Sequence, residues 1–358
     1  MIVLVALSVG GLVSGFLLLR LIPTVPEYSS SEKEAGSISI IIPARNEESN
    51  LPPLLSSLMQ SQPRPSEVIV VNDGSTDKTS QVASTLGATV VSLTSAPPGW
   101  RGKNWACHQG ALVASSDTFL FVDADTRFLP GGLERTLSLF HSLPPQSALS
   151  LLPFHTTQKP YEELSLFFNL LMAAGAGGFG GLDRPHLFGQ SLLIRRDLYL
   201  RSGGHAAVRQ HVLENFYLAS HIREAKGNPY TASGRGVFFV RMFPHGIAQL
   251  CESWEKGFAA GAGDTSRVVL LLSIYWLFTA ILVFLVLLFE IGMSRSTACT
   301  LYLAFALQVA WLSRKIGNYR LMTSILYPAP LLFYFIIFGR SVWLKRFRHS
   351  GTWKGRQL

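Results

Sequence analysis

The chain has 358 residues, 48% of them hydrophobic and 15% charged, with a formal net charge of +9. A disordered chain needs the reverse balance and is excluded, and a wholly soluble domain is disfavoured because it needs more surface charge. The three cysteines, Cys107, Cys251 and Cys299, lie far apart, which supports neither a disulfide framework nor a zinc cluster and fits a reducing compartment.

Residues 2–22 are apolar apart from Arg20, long enough at ~1.5 Å per residue to cross a hydrocarbon core of about 30 Å. The segment has neither the basic start nor the small-residue cleavage site of a signal peptide, so a retained anchor over 1–22 is expected. A linker at 23–36 leads into an α/β pattern. Apolar runs at Ser37–Pro43, Glu67–Val71, Ala88–Leu93 and Thr118–Val122 predict strands. Ser49–Gln60, Asp77–Leu86 and Lys103–Ala114 predict helices between them. That alternation predicts a mostly parallel, doubly wound sheet whose ligands bind beyond the carboxyl ends of its strands.

The residues at those ends are largely acidic. Strand one runs into Pro43-Ala44-Arg45-Asn46-Glu47, strand two into Asn72-Asp73-Gly74-Ser75-Thr76-Asp77, and strand four into Asp123-Ala124-Asp125. Asp77 reads best as a helix-start acid. Asp73 precedes a sharp glycine turn and can accept hydrogen bonds from a base or ribose. Asp123 and Asp125, if the chain stays extended, point to one side and offer hard oxygen ligands for Mg²⁺ or Mn²⁺. A pair of solvated loop acids is the alternative.

Gly175–Gly180 has the form G-x-G-x-x-G but follows a helix-like stretch, so a dinucleotide site fails its context and a flexible loop, or a close backbone approach to a lipid, is expected. Residues 164–182 read as buried or interfacial rather than spanning. Gln190–Arg196 predicts a strand. Ile247, Leu250, Cys251, Trp254 and Phe258 fall at helical spacing, predicting an amphipathic helix over 247–263 at a membrane interface, with ordinary packing as the alternative. Two or three membrane segments follow over 268–340: 268–291, 297–312, and 321–339 with Pro328-Ala329-Pro330 inside it. The loop Ser313–Arg320 and the tail 341–358 are both basic, so both should be cytoplasmic. Both hold if 321–339 is re-entrant or interfacial; a kinked full span with an exposed tail is the alternative.

The three polar turns in this order, together with Gly102-Lys103-Asn104-Trp105-Ala106 opening a helix, resemble the family 2 glycosyltransferases of GT-A fold over roughly residues 37–262. The resemblance implies a GT-A domain at 37–246, a UDP-sugar donor, Mg²⁺ or Mn²⁺, and inversion at the anomeric carbon. It implies that Pro43, Ala44, Glu47, Asp73, Lys103 and Asp123 bind the nucleotide-sugar, that Asp125 holds the metal, and that Gln190, His205 and Trp254 face the acceptor. Family members carry Glu-Asp late in the domain with Asp as general base; here the pair is Glu214-Asn215, which makes Glu214 the catalytic candidate. A helix first-turn acid is the competing reading of Glu214.

Pro98–Ala106 and Trp254-Glu255-Lys256-Gly257 are similar to membrane-bound members associated with bacterial carotenoids and hopanoids. That similarity implies a multi-pass protein of the cell membrane with a cytoplasmic catalytic domain, moving one sugar, glucose, to a lipid acceptor in the bilayer. A carotenoid carboxylic acid is the acceptor favoured, since an ionised acid needs little help from a base. Hopanoids, glycerolipids and polyprenyl phosphates are alternatives, as is a non-catalytic nucleotide-binding membrane scaffold. Processive synthases of the family show Gln-x-x-Arg-Trp; here Gln249 is five residues from Trp254 and Ser253 replaces the Arg, which disfavours a polymerase. The expected partners are the donor, the lipid acceptor and membrane lipids. Nucleic acid is not expected, because the basic residues cluster beside the spans, and no protein partner is predicted.

Overall fold

The apolar N-terminal segment forms helix α1 (Ile2–Leu19), and the α/β pattern after it begins with strand β1 (Ile38–Ala44). The computed structural model describes residues 1–27, 37–347, 352–353 and 356–357, so the expected linker and basic tail lie partly outside the described residues. By contacts the chain divides into two units: Pro23–Phe154 with Pro185–Arg241, and Met1–Ile22 with His155–Arg184 and Met242–Leu358.

In the α/β unit, β1 is followed by α2 (Leu51–Met59), β2 (Glu67–Asp73), α3 (Thr79–Thr85), β3 (Thr89–Leu93), α4 (Gly102–Val113) and β4 (Thr118–Val122). The expected strands and helices are all present, each within a few residues of its predicted limits. Then come β5 (Thr126–Phe128), α5 (Gly132–Ser142), β6 (Ser147–Leu152) and β7 (Phe154–His155), where the chain changes unit. The excursion contains α6 (Leu166–Gly177). The chain returns with β8 (Ser191–Arg195), α7 (Arg196–Arg201), α8 (Gly204–Ala207), α9 (Glu214–Glu224), β9 (Asn228–Ser233) and β10 (Phe238–Val240).

Seven strands form one sheet in the order β3–β2–β1–β4–β8–β6–β9. Every pairing is parallel except those of β8, which runs antiparallel to both β4 and β6. Strands covered on both faces read as unbroken apolar runs. Ile40 and Ile42 of β1 pack with Leu51, Leu54, Leu55 and Leu58 of α2, while Ile41 packs on the other face with Ala106, Cys107 and Ala111 of α4. Helix α4 comes so close that a Cβ at Gly110 would sit 2.4 Å from Ile41 Cγ2. Because β2, β1 and β4 are parallel neighbours, their carboxyl ends open on one edge, with the change in strand order between β1 and β4.

The second unit holds α1, α6 and the C-terminal helices α10 (Ile247–Asp264), α11 (Arg267–Phe289), α12 (Arg295–Ile316), α13 (Leu321–Ile325) and α14 (Pro328–Phe347). Among the described residues, α1, α11 and α12 are long and apolar enough to cross a membrane. Their contacts use small residues, which let the backbones approach closely. A Cβ at Gly11 would lie 1.8 Å from Thr279 Oγ1, and one at Gly15 would lie 2.4 Å from Trp276 Nε1. Trp276 Nε1 donates to Gln308 Oε1 (2.9 Å) and Gln308 Nε2 donates to the Leu12 carbonyl (2.6 Å), so one polar chain ties all three helices. Two expectations are refined. Gly175–Gly177 end α6 rather than form a loop, and the turn begins at left-handed Gly178. The apolar run at 321–339 is two helices, with Pro328 opening the second, where its missing N–H costs nothing.

Candidate active site

The sheet edge gathers the acids after β4 and the start of two helices. Lys103, at the start of α4, has its Nζ 2.8 Å from Asp123 Oδ1 and 2.7 Å from Glu214 Oε1, and donates to the Gly189 carbonyl at 2.9 Å. Of the three N–H donors of an ammonium, Asp123 Oδ2 (3.1 Å) and the Gly189 carbonyl each take one, while Glu214 Oε1 meets the charge as an ion pair. Glu214 is 4% exposed. Burial works against a charge on Lys103, but the carboxylates of Asp123 and Glu214 outweigh it and hold the ammonium protonated well above the usual lysine range. One turn further along α4, burial pushes the Cys107 thiol far up, which leaves it no role as a nucleophile.

The backbone fixes each partner. Asp123 N donates to the Gln190 carbonyl (3.1 Å), and the Asp123 carbonyl accepts from Thr126 N (3.2 Å) and Thr126 Oγ1 (2.7 Å). The chain therefore turns at Asp123-Ala124-Asp125, and the strand alternation expected to aim both carboxylates together does not operate. Asp123 is half-buried against Lys103, whereas Asp125 is exposed. Glu214 opens α9, and the next residue, Asn215, donates its Nδ2 to the Phe188 carbonyl at 2.8 Å. That amide steadies the Phe188–Gln190 segment, whose carbonyls serve Lys103 and Asp123. An ionised Asp at 215 has no N–H to give.

The loops after β1 and β2 are laced together. Asn46, in the left-handed region at φ 54°, accepts from Thr76 N (2.8 Å), and its own N–H donates to Ser75 Oγ (3.0 Å). Glu47 N donates to Thr79 Oγ1 (2.9 Å), and Glu47 Oε2 accepts from Asn50 Nδ2 (2.6 Å). Asp77 accepts from Thr79 N (3.0 Å) and Glu48 N (3.2 Å). Burial alone would raise its carboxyl, but these hydrogen bonds prevail and lower it; Asp77 stands one residue ahead of Lys78, the N-cap of α3, rather than in the first turn. Asp73 is buried at the end of β2, with Arg45 Nη1 donating to its carbonyl (3.0 Å) and lying 3.9 Å from Oδ2. Pro43 and Ala44 close β1 beside it.

Of the residues expected at the acceptor side, Gln190 is half-buried beside Asp123. His205 is only 1% exposed, packed 4.7 Å from the Phe121 ring and bonded through Nδ1 to Tyr199 OH at 3.0 Å. Burial pushes its imidazole down to about 3. It is a neutral core group rather than an acceptor surface, and the left-handed Gly204 before it admits no Cβ against the Tyr199 ring. Trp254 lies on α10 in the helical unit, stacked on Phe168 at 4.7 Å and 7% exposed, so it is a packing residue of that unit. Sequence reasoning missed the Gly189 carbonyl, the amide of Asn215, and Asn104, whose buried Nδ2 donates to the Val208 and His211 carbonyls (2.8 and 3.0 Å). A carbonyl leaves no mark on residue identity; Asn104 and Asn215 stood inside motifs noticed for their neighbours.

Among the described residues no three His, Cys, Asp or Glu side chains converge on a metal position. An exposed Asp125 beside Asp123 still fits Mg²⁺ or Mn²⁺, which bind through one or two carboxylates and complete their shell with substrate phosphates and water.

The sheet edge thus carries an acid at the end of β2, acids after β4 and a cation at the start of α4. The family model described as glycosyl transferase family 2 matches residues 39–216. The chain belongs to that family and is a glycosyltransferase. It is 35% identical over 331 residues to the 4,4'-diaponeurosporenoate glycosyltransferase of Staphylococcus aureus strain USA300, covering 90% of this chain and 88% of that one. The protein of the same name from the bovine strain RF122 / ET3-1 is 36% identical over 333 residues, with the same coverage. Among solved structures, a mannosyltransferase of Pyrobaculum calidifontis in complex with GDP-Man and Mn²⁺ superposes with a TM-score of 0.54 over 96% of this chain and 99% of that one, at 16% identity. It shares the fold.

Proposed function

We propose that the protein transfers one glucose from UDP-glucose to a carotenoid carboxylic acid held in the bilayer, with inversion at the anomeric carbon. The observation that carries this reading is the cluster of Lys103, Asp123, Glu214 and the Gly189 carbonyl at the sheet edge. The acceptor class is supported by the name of the Staphylococcus aureus relative. A nucleotide-sugar with a divalent metal is supported by the Pyrobaculum calidifontis neighbour solved with GDP-Man and Mn²⁺.

In this reading Asp73, Pro43, Ala44 and Glu47 receive the nucleoside, and Asp123 with Lys103 receives the ribose and diphosphate. A Mg²⁺ or Mn²⁺ ion held by Asp125 would neutralise charge on the departing diphosphate. Lys103 supplies a fixed positive charge where negative charge develops on the leaving group. The acceptor carboxylate, ionised at neutral pH, attacks the anomeric carbon as its bond to the β-phosphate oxygen breaks. UDP leaves with that electron pair and a glycosyl ester forms. No proton moves, which suits a site where Glu214 is already engaged by Lys103 and the following residue is an amide. Glu214 then positions Lys103, and becomes the base only for a hydroxyl acceptor.

We read the protein as a multi-pass protein of the cell membrane with its catalytic domain on the cytoplasmic side, supported by the three long apolar helices and by Arg314 and Lys315 in the last turn of α12. The test incubates membranes containing the protein with Mn²⁺, UDP- and GDP-sugars, and either a carotenoid-acid extract or total lipid. Mass spectrometry of the lipid phase should show one added hexose on the carotenoid acid with UDP-glucose, lost in Asp125→Asn. Hexose appearing only on a hopanoid, glycerolipid or polyprenyl phosphate would reassign the acceptor; no product with any donor would overturn the reading.

A further inference from the structure

The path of the chain after α12 is the feature that no family resemblance explains. Helix α12 ends at Ile316 beside the end of α1, since Lys315 Nζ lies 3.4 Å from the Leu19 carbonyl and 3.5 Å from that of Arg20. The next residues are tied down by a polar knot. Asn318 Oδ1 accepts from Thr157 N (2.7 Å) and Thr157 Oγ1 (3.1 Å), and Glu163 Oε2 accepts from Arg320 N (3.1 Å) and Thr323 Oγ1 (2.6 Å).

From there α13 turns inward. The Ile325 carbonyl accepts from Tyr302 OH (2.6 Å), and Tyr327, fully buried, donates its OH to the Ala280 carbonyl (3.0 Å). Ala280 lies about 20 Å along α11 from Arg267, and Tyr302 about 20 Å along α12 from Ile316. Both helices are ~33 Å long, so the tip at Tyr327–Pro328 reaches part of the way across and no further.

Helix α14 then runs back. Tyr334 packs 4.9 Å from Phe168 of α6; Arg340 Nε is 2.9 Å from Glu255 Oε1, and Ser341 Oγ donates to the Glu255 carbonyl (2.6 Å). Glu255 belongs to α10, which precedes the start of α11, so α14 finishes at the face from which α13 departed. The opposite face is marked by Gly292, between α11 and α12, where a Cβ would touch Leu4 near the start of α1 at 2.8 Å.

We infer that residues 321–347 form a re-entrant hairpin that enters and leaves the bilayer from the face where α1 and α12 end. Among the described residues there are then three full spans, with the start of α1 and the end of α14 on opposite sides. Backbone that breaks its helix at membrane depth is tolerated only where protein satisfies it; here Tyr302 OH serves the Ile325 carbonyl and Ala329 N donates to the Leu326 carbonyl (3.0 Å). The outer surface of the hairpin is apolar: Leu321, Met322, Leu326 and Ile336 are more than half exposed. Its occupant is the acyl chains of the single leaflet on that side, with Arg320 and Arg340 at the headgroup level. The hairpin also answers the charge conflict read in the sequence, since Arg314, Lys315, Arg320 and Arg340 all fall on one face. The inference rests on the membrane reading proposed above.

The test uses the full chain in its membrane, with Cys107, Cys251 and Cys299 replaced by Ala and one cysteine returned at a time as Glu290→Cys, Arg314→Cys or Gln357→Cys. A membrane-impermeant maleimide is applied to intact cells and to inside-out vesicles. Positions 314 and 357 should be labelled from the cytoplasmic side and 290 from the outside. Labelling of 357 together with 290 would overturn the hairpin in favour of a full crossing. Labelling of 290 and 314 from one side would remove α12 as a span, and the membrane reading with it. Failure of sugar transfer leaves all three labels where they are. If the cysteine variants do not accumulate, an epitope after Leu358 of the unsubstituted chain gives the same answer: protease should spare it in spheroplasts and remove it in inside-out vesicles, and the reverse overturns the hairpin.

Discussion

Lys103 is the residue on which the site turns, because removing it leaves Asp123 and Glu214 facing the same space without a counter-charge. Lys103→Met should lower hexose transfer by about 10²-fold, the usual scale for losing a fixed electrostatic donor, as read by product mass spectrometry. Asn215→Asp should be damaging in spite of restoring the family's usual acid. It places a carboxylate against the Phe188 carbonyl and should cost about 1–3 kcal/mol in thermal unfolding. His205 supplies a pH prediction. Its imidazole is held down to about 3 in the folded chain, against about 6.5 unfolded. Its contribution is therefore complete above about 6.5 and is lost as pH falls from there towards 3. The melting temperature should drop between pH 7 and 5, and less so in His205→Gln; His155, also held down to about 3, contributes the same slope to both proteins. At this scale the acids were legible because strands betray where their carboxyl ends lie. The turn at Asp123, the Gly189 carbonyl and the burial of His205 were not, since each depends on a distant segment.

At the scale of elements, packing distance decides what is tolerated. Gly110→Val forces a branched side chain into Ile41 and should destabilise the α/β unit by about 1–3 kcal/mol in a thermal melt. Gly11→Val acts the same way where α1 meets Thr279, and should loosen α1 from α11. A cysteine cross-link between those helices that forms in the parent and not in the variant would show it. Strands β1 to β4 were legible as apolar runs, since a strand covered on both faces has no polar side to show. The antiparallel insertion of β8 between β4 and β6 was not, because periodicity reports a strand and never its neighbour. The split of α13 from α14 was half visible: Pro328 announced a break, but the contacts of Arg340 and Ser341 with Glu255 were needed to show which way the chain goes afterwards.

For the whole molecule, the linear order of anchor, soluble domain and membrane cluster gives way to an interleaved one. Residues 155–184 leave the α/β unit and return to it, and Phe167 and Phe168 within them are fully buried against Trp276 and Trp254 of the C-terminal helices. A fragment spanning Pro23–Arg241 should therefore expose α6 and aggregate. The same fragment with 155–184 replaced by a Gly-Ser linker should elute as a monomer on size exclusion. Sequence reading marked 164–182 as buried or interfacial but could not name its partners, which lie about a hundred residues further on.

The glycines of α1 carry a consequence for how the chain is made. Helix α1 leaves the ribosome before α11 and α12, yet the side chains that fit against Gly11 and Gly15 belong to α11, and the Gln308 that bonds to Leu12 belongs to α12. At about 5–20 residues per second, roughly 15–60 s of synthesis separate α1 from its last partner. In the membrane reading proposed above, it spends that interval in lipid as a single helix with a small-residue groove uncovered, while the α/β unit grows from its end. The bundle thus stays unfinished until α11 and α12 are translated and close it.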